Sequence, residues 1–495
     1  MQSPDTLGFV LAVFRPECLW AIFVGVFGGT VIGALPGLTA TMGVALLIPL
    51  TFGMDPVIGL NMLIGIYVGG IYGGCISAIL VKTPGTPASA ATVLDGYPLA
   101  QKGQAMKALG MATYASGIGG LFSCVVLAFM APMLASMALK FGPAEYFSLA
   151  AFGLAIIASL SSDILKGILV GCFGMLLSCI GADPIGGVQR FTFGATGFSD
   201  GVAFIPALIG LFAISEVMVQ IEHIFEKTEV TIKLAGSIPT LKETLSCWKT
   251  LLRGSIIGTI VGIIPGTGSG TASWIAYSEA KRTSKHPERY GTGELDGVAA
   301  TESSNNAVCG GALVPLLALG IPGDSVTAVL VGGLMIQGLA PGPMLFAERP
   351  DVVIGIFTGS FIANIFMVII GLLGVGMFAQ VLKIPKRTLV MAIVMFCVLG
   401  SYAINMNVTD LYTMLVFGVV GYFLQKYNFS LAAVCISLIL GPLAEENLRL
   451  AYIANKGDLS VFVTRPISAL FVFLTVFSLC WPIYREWKTG KKIPQ

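Results

Sequence analysis

Four short stretches carry residues able to hold an anion without a fixed positive charge. They are Pro36-Gly37-Leu38-Thr39-Ala40-Thr41, Thr83-Pro84-Gly85-Thr86-Pro87-Ala88-Ser89, Pro265-Gly266-Thr267-Gly268-Ser269 and Pro322-Gly323-Asp324-Ser325. Each interrupts one apolar run and opens another. Proline cannot continue a helical hydrogen-bond ladder. The helix that starts after it presents free N–H groups and the positive end of its dipole. The hydroxyls of Thr39, Thr41, Thr83, Thr86, Ser89, Thr267, Ser269 and Ser325 add donors. A ligand with several carboxylates loses much hydration on entering such a place and needs many donors in return. At any one break the alternative is a kink whose Ser and Thr cap their own turn; four breaks at duplicated positions favour a site.

Cation chemistry has a separate candidate. Glu302-Ser303-Ser304-Asn305-Asn306 precedes Gly310-Gly311 in an apolar run. Adjacent amides there must either bridge helices or offer carbonyl oxygens to substrate or Na⁺. Asp324 completes such a site or caps its own helix. Lys82 stands beside the second break. Asp163 and Lys166 are expected to pair, Asp95-Gly96-Tyr97-Pro98 to form a turn leaving the membrane, and Glu445, Glu446 and Arg449 to lie in a loop.

Other chemistries lack their residues. The two histidines, His223 and His286, fall in polar loops, and no cysteines are spaced for a metal site. Gly266-Thr267-Gly268-Ser269-Gly270-Thr271 has glycines like a phosphate loop but no following lysine. Ser269 has no histidine in an apolar run to act as its base. The ten cysteines read as small buried hydrophobes. No catalytic residue, resident cofactor or metal is expected, and no nucleic-acid partner.

The elements that must position these breaks repeat. Gly25, Gly29 and Gly33 lead to Pro36-Gly37, and Gly254, Gly258 and Gly262 lead to Pro265-Gly266 at a constant offset. Gly73-Gly74 then precedes Pro84-Gly85 as Gly310-Gly311 precedes Pro322-Gly323. The chain is 55% hydrophobic and 11% charged, against about 25% charged in soluble domains. Its mean hydropathy is +0.88. These values predict an all-α polytopic membrane protein of about 11–13 membrane segments. Apolar runs fall near 18–35, 57–81, 108–137, 144–160, 164–183, 202–221, 250–264, 304–321, 352–379, 388–404, 410–425, 429–443 and 460–484. Segments 38–52, 267–278 and 324–338 are short enough to be half-helices or re-entrant hairpins. Residues 1–221 form the first repeat, 222–253 a polar cytoplasmic linker, and 254–495 the second repeat with a cytoplasmic tail. Basic residues in the linker and the tail set that orientation. The first glycine helix lacks the basic flank of the second, which predicts inverted repeats. Met1–Thr6 has no basic stretch, so no cleaved signal peptide is expected.

The glycine–Pro-Gly pattern, the stretch Tyr67-Val68-Gly69-Gly70-Ile71-Tyr72-Gly73-Gly74, the run from Glu302 to Gly323 and Gln337-Gly338-Leu339-Ala340-Pro341-Gly342-Pro343 together resemble the large permease subunit of tripartite tricarboxylate transporters. The resemblance spans about residues 18 to 480. It implies a multi-pass subunit in the bacterial inner membrane, working with a small four-helix membrane subunit and a periplasmic solute-binding protein. It further implies import of di- or tricarboxylates, or related organic anions, on a Na⁺ or proton gradient. The four Pro-Gly positions carry over, although Leu38 stands where the second copy has Thr267. On this reading paired tips form a midplane site, with elevator or rocking motion, and a homodimer suits an elevator. The alternatives are a channel, which would not accumulate substrate, and a membrane assembly protein without transport, which would not need duplicated breaks.

Overall fold

Glycine at every fourth position strips side chains from one face of the helix Pro16–Ala34, and that bare face lies on the helix Pro56–Val81. A Cβ at Gly25, Gly29 or Gly33 would sit 2.2, 2.4 or 2.1 Å from the carbonyl oxygens of Met62, Ile66 and Gly70. Gly65, Gly69 and Gly73 return the contact, against the carbonyls of Ile22, Val26 and Thr30. The second pair, Trp248–Ile263 and Leu295–Leu319, meets the same way: Gly258 on the Ser304 carbonyl at 2.1 Å and Gly262 on that of Val308 at 2.8 Å. Only glycine permits backbone to approach backbone this closely, the mode of packing that membrane helices favour.

The computed structural model describes residues 5–159, 163–194, 196–222 and 234–489. His223, Lys227, Lys233, Lys491 and Lys492 lie outside them. The chain forms two compact units, each drawing on both halves of the sequence.

The first unit comprises Met1–Ala135 and Val219–Phe396. In chain order it holds Pro16–Ala34, the short helix Ala40–Leu47, Pro56–Val81, the turn Pro87–Ser89 and the helix Val93–Gln101. The helix Ala105–Ala138 follows. After residue 234 come Trp248–Ile263, Gly268–Thr283, Leu295–Leu319, Ser325–Ile336 and Pro350–Leu373. The part of the linker that is described seats on this unit. Ala235 accepts from the Met106 amide at 3.1 Å. Lys107 pairs with Glu243, and this pair with the Thr240 cap pulls the Glu243 carboxyl down to about 2. Within this stretch helix begins at Leu241 and again at Trp248.

The second unit comprises Ser136–Met218 and Cys397–Gln495. Its helices include Pro143–Ser159, Ile164–Ser178, Val408–Lys426, Leu431–Ala454 and Pro466–Thr489. A two-residue antiparallel ladder, Gly181–Ala182 with Gln189–Arg190, was not expected from the apolar run 164–183. Glu445 and Arg449 are helical rather than in a loop, because both find partners: Glu445 takes Arg190 at 2.6 Å and Arg449 takes Asp183 at 2.5 Å. The Arg449 guanidinium holds the Asp183 carboxyl below the usual carboxylate range. Asp163 and Lys166 do not pair. Asp163 caps its helix through the Leu165 amide at 2.9 Å, while the Lys166 ammonium donates to the Tyr427 carbonyl at 2.7 Å.

Among the described residues, eight helices are long and apolar enough to cross a membrane, and five shorter apolar helices accompany them. This is an all-α multi-pass membrane protein, and every predicted apolar run has a helix. One difference is at Leu295–Leu319, which starts nine residues before the predicted 304 and buries Glu302 inside the unit. Polar residues hid that turn from a hydropathy reading.

Gly29→Ala and Gly258→Ala should each cost about 1–3 kcal/mol, as overpacking does in other tightly packed interiors. Thermal unfolding in detergent would show this as earlier transitions. Gly28→Ala, where a Cβ would meet nothing within 4 Å, should unfold with the parent; equal loss at position 28 would contradict the packing account.

Candidate functional site

All four breaks lie in the first unit. The first helix stops at Ala34 and turns at Pro36-Gly37, where Gly37 has φ +90° and faces the Gln220 side chain. Thr39 restarts the chain by accepting from the Met42 amide at 3.2 Å. At the second break Lys82 ends the helix in a left-handed turn, with its ammonium 5.8 Å from the Tyr97 ring centre. Thr83 is exposed and donates to the Val81 carbonyl. Gly85 packs where a Cβ would be 2.0 Å from the Gly33 carbonyl oxygen, and its amide donates to the Gly74 carbonyl at 3.3 Å. Ser89 spends its hydroxyl on the Thr86 carbonyl.

The second-half breaks share one contact with the first. Gly323 packs on the Gly262 carbonyl oxygen, 2.4 Å from its would-be Cβ, as Gly85 packs on that of Gly33. The Gly266 amide donates to the Gly323 carbonyl at 2.7 Å, tying the two breaks together. Thr267 donates back to the Val261 and Ile264 carbonyls at 2.5 and 2.9 Å. Pro265 and Ser269 are half-buried, whereas Pro322 is buried. Asp324 caps its helix: Oδ1 accepts from the Thr327 amide and hydroxyl, both at 2.8 Å. Its Oδ2 accepts from the Tyr67 hydroxyl at 2.6 Å.

The breaks meet crosswise. Thr41, after the first break of the first half, has its hydroxyl 3.0 Å from that of Ser325, after the second break of the second half. Ser273, on the helix after Pro265-Gly266, donates to the Ala88 carbonyl at 2.7 Å, just past Pro84-Gly85. Of the predicted hydroxyls, Thr39, Thr83, Ser89 and Thr267 serve their own turns, and Thr41 and Ser325 join across halves. Thr86 is buried, and its hydroxyl has no partner among the described residues.

The amide pair behaves likewise. Asn306 donates to the Val68 carbonyl at 3.4 Å but leaves its own oxygen unpaired. Neither amide atom of Asn305 makes a hydrogen bond of normal geometry, although the side chain lies beside Glu302. Orphaned buried polar groups are uncommon in folded proteins, and each calls for an explanation.

Several contributors escaped the sequence reading. Tyr67 and Ser273 sit in apolar or loop-like text and gain their roles only across the fold. Asp95 is no exit turn: it is buried in Val93–Gln101 and accepts from Tyr277 at 2.9 Å and from the amides of Gly291, Gly293 and Glu294 at 2.8–2.9 Å. Three convergent backbone donors made it an anchor, and no local motif signals that.

The chain matches the tripartite tricarboxylate transporter TctA family over residues 19–436, and it belongs to that family. It is therefore a transporter component of tricarboxylate transport, one part of a tripartite system, and not an enzyme. An uncharacterized 52.8 kDa protein in the TAR-I ttuC' 3'region of Agrobacterium vitis is 41% identical over 466 residues, covering 94% of this chain and 92% of that relative. An uncharacterized protein in the TAR-II ttuC' 3'region of the same organism is 42% identical over 197 residues, 40% of this chain and 81% of its own length. No solved structure matches.

Thr41→Cys combined with Ser325→Cys should cross-link under mild oxidation, since hydroxyls in contact put the two sulfurs within bonding reach. Mass spectrometry of the digested protein would find the joined peptides. Their absence alongside free, reactive thiols at both positions would refute the crosswise meeting.

Proposed function

We propose that this chain is the large permease subunit of a secondary transporter in the bacterial inner membrane, importing di- or tricarboxylates or related organic anions. It works with a small four-helix membrane subunit and a periplasmic solute-binding protein that delivers the anion. A Na⁺ or proton gradient drives import, and the chain functions as a homodimer. The observation that carries this reading is the crosswise meeting of four broken helices, Thr41 with Ser325 and Ser273 with Ala88. Irregular backbone at membrane depth is tolerated where it lines a binding cavity or is buried in protein.

Residues 1–221 and 254–495 act as inverted repeats on this account. Support comes from the equivalent seating of Gly85 on Gly33 and Gly323 on Gly262. Substrate carboxylates are held by Pro36, Gly37, Thr39, Thr41, Thr83, Pro84, Gly85, Thr86, Ser89, Pro265, Gly266, Thr267, Ser269, Pro322, Gly323 and Ser325. Hydroxyls now closing their own turns rotate to the ligand, and backbone N–H groups at the tips supply the rest. The neighbourhood of Asn305 and Asn306 takes the coupling cation. Asp324 joins it by fixing the second-half tip, because its oxygens are already engaged with Thr327 and Tyr67.

Uptake of a panel of labelled organic acids into proteoliposomes holding this chain and its two partner subunits tests the reading. Accumulation against a gradient, dependent on Na⁺ or a pH difference, is the expected result. Gly266→Val and Gly323→Val should abolish it while the protein still inserts. Downhill leak alone would favour a channel, and normal uptake in both variants would remove the tips from the site.

A further inference from the structure

Glu302 has no part in the substrate site just described, yet its carboxyl group is among the most isolated in the first unit. It lies within Leu295–Leu319 and is 0% exposed. The Thr92 hydroxyl lies against Oε1, the Ser116 hydroxyl is 3.2 Å from Oε2, and the Asn305 amide sits beside it. No lysine, arginine or histidine among the described residues pairs with it. The titratable groups facing it are the Tyr72 phenol and Cys75 thiol of Pro56–Val81. Asp95 of Val93–Gln101 is turned to Tyr277 and the Gly291–Glu294 amides, and Arg253 of Trp248–Ile263 is exposed on Thr283. Ser116 is what Ala105–Ala138 offers. An ionised carboxylate at membrane depth with no countercharge is costly, so such a residue needs a cation of its own.

The hydrogen bonds indicate which cation. Thr92 has one hydroxyl hydrogen but two close oxygen partners, Glu302 Oε1 and Thr301 Oγ1, the latter at 3.0 Å. Thr301 directs its own hydrogen to the Gly297 and Val298 carbonyls at 3.2 and 3.1 Å. A protonated Glu302 satisfies the chain: it donates to Thr92, Thr92 donates to Thr301, and Thr301 donates to backbone. An ionised Glu302 takes the Thr92 hydrogen and leaves the Thr92–Thr301 contact without one. Asn305, with both amide atoms unpartnered, supplies a donor for the ionised state. By the register of the glycine contacts, Gly29 on Ile66 and Gly258 on Ser304, Ile64 takes the corresponding place in the first half. The carboxyl is thus a feature of one half only.

We propose that Glu302 is the proton carrier of this transporter, taking a proton from the water on one side and releasing it to the other as the organic anion moves. The proposal rests on the transport reading above and narrows its coupling ion to the proton. Infrared titration of the purified full-length chain tests it without any substrate. The parent should show a protonated-carboxyl band that fades on alkalinisation and is missing in Glu302→Gln. Ser116→Ala, which removes a donor to the anion, should move the midpoint up by about one pH unit. A spectrum identical in parent and Glu302→Gln, or a band displaced by Na⁺ and not by alkali, would overturn the proposal. In proteoliposomes Glu302→Gln should keep substrate exchange and lose accumulation driven by a pH gradient; accumulation equal to the parent would also overturn it. A parent that neither exchanges nor accumulates any acid would sink the transport reading, and the infrared titration would still decide whether Glu302 takes up and releases a proton.

Discussion

A backbone amide left without a partner in hydrocarbon costs several kcal/mol, and this chain breaks four helices within apolar sequence. Everything else in the first unit answers that constraint. The break at Gly85 returns its amide to Gly74, and the break at Gly266 returns its amide to Gly323. The first bond folds a break back onto the helix it ends, and the second ties one break to another. The glycine columns make this close approach possible. Where a side chain would stand at Gly33, Gly85, Gly262 or Gly323, a carbonyl oxygen stands instead. Close helix packing and broken helices are therefore one device, and neither works without the other.

With backbone satisfied in this way, the remaining polar atoms divide into closed and open sets. Across the two halves the Asp324 cap and the Tyr67 hydroxyl complete each other. At the places that correspond under the proposed repeat, Thr86 and Asn305 both keep orphaned atoms. One network is thus finished, while Thr86 and Asn305 keep unpaired atoms. That asymmetry suits a carrier whose two halves share architecture but divide the labour between anion and cation. Under the proposed function Glu302, next to Asn305 and with Ile64 at the corresponding place in the first half, belongs to that division.

Much of this was legible in the sequence. Glycines at four-residue spacing, Pro-Gly pairs at matching offsets and continuous apolar runs are local signals, and each has its element in the fold. The Asn305-Asn306 pair was conspicuous because amides are expensive in an apolar run. What stayed hidden depends on contacts far apart in sequence. Asp95 read as a turn because Asp-Gly and Tyr-Pro are turn-like text, whereas its role is set by amides almost two hundred residues away. The helical turn carrying Thr301 and Glu302 looked polar enough to lie outside the membrane segment. Only Thr92 and Ser116, from two other elements, make its burial tolerable. Glu445 and Arg449 were misread for the same reason, since their partners Arg190 and Asp183 stand on a distant hairpin.

The central claim is that the Pro-Gly tips hold the transported anion. Its most direct test is an electron cryomicroscopy structure of the chain bound to a carboxylate that it takes up. Density for the ligand against the N–H groups and hydroxyls that follow Pro36-Gly37, Pro84-Gly85, Pro265-Gly266 and Pro322-Gly323 is the predicted result. A ligand seated elsewhere, with those four turns unchanged and still capping themselves, would contradict the account.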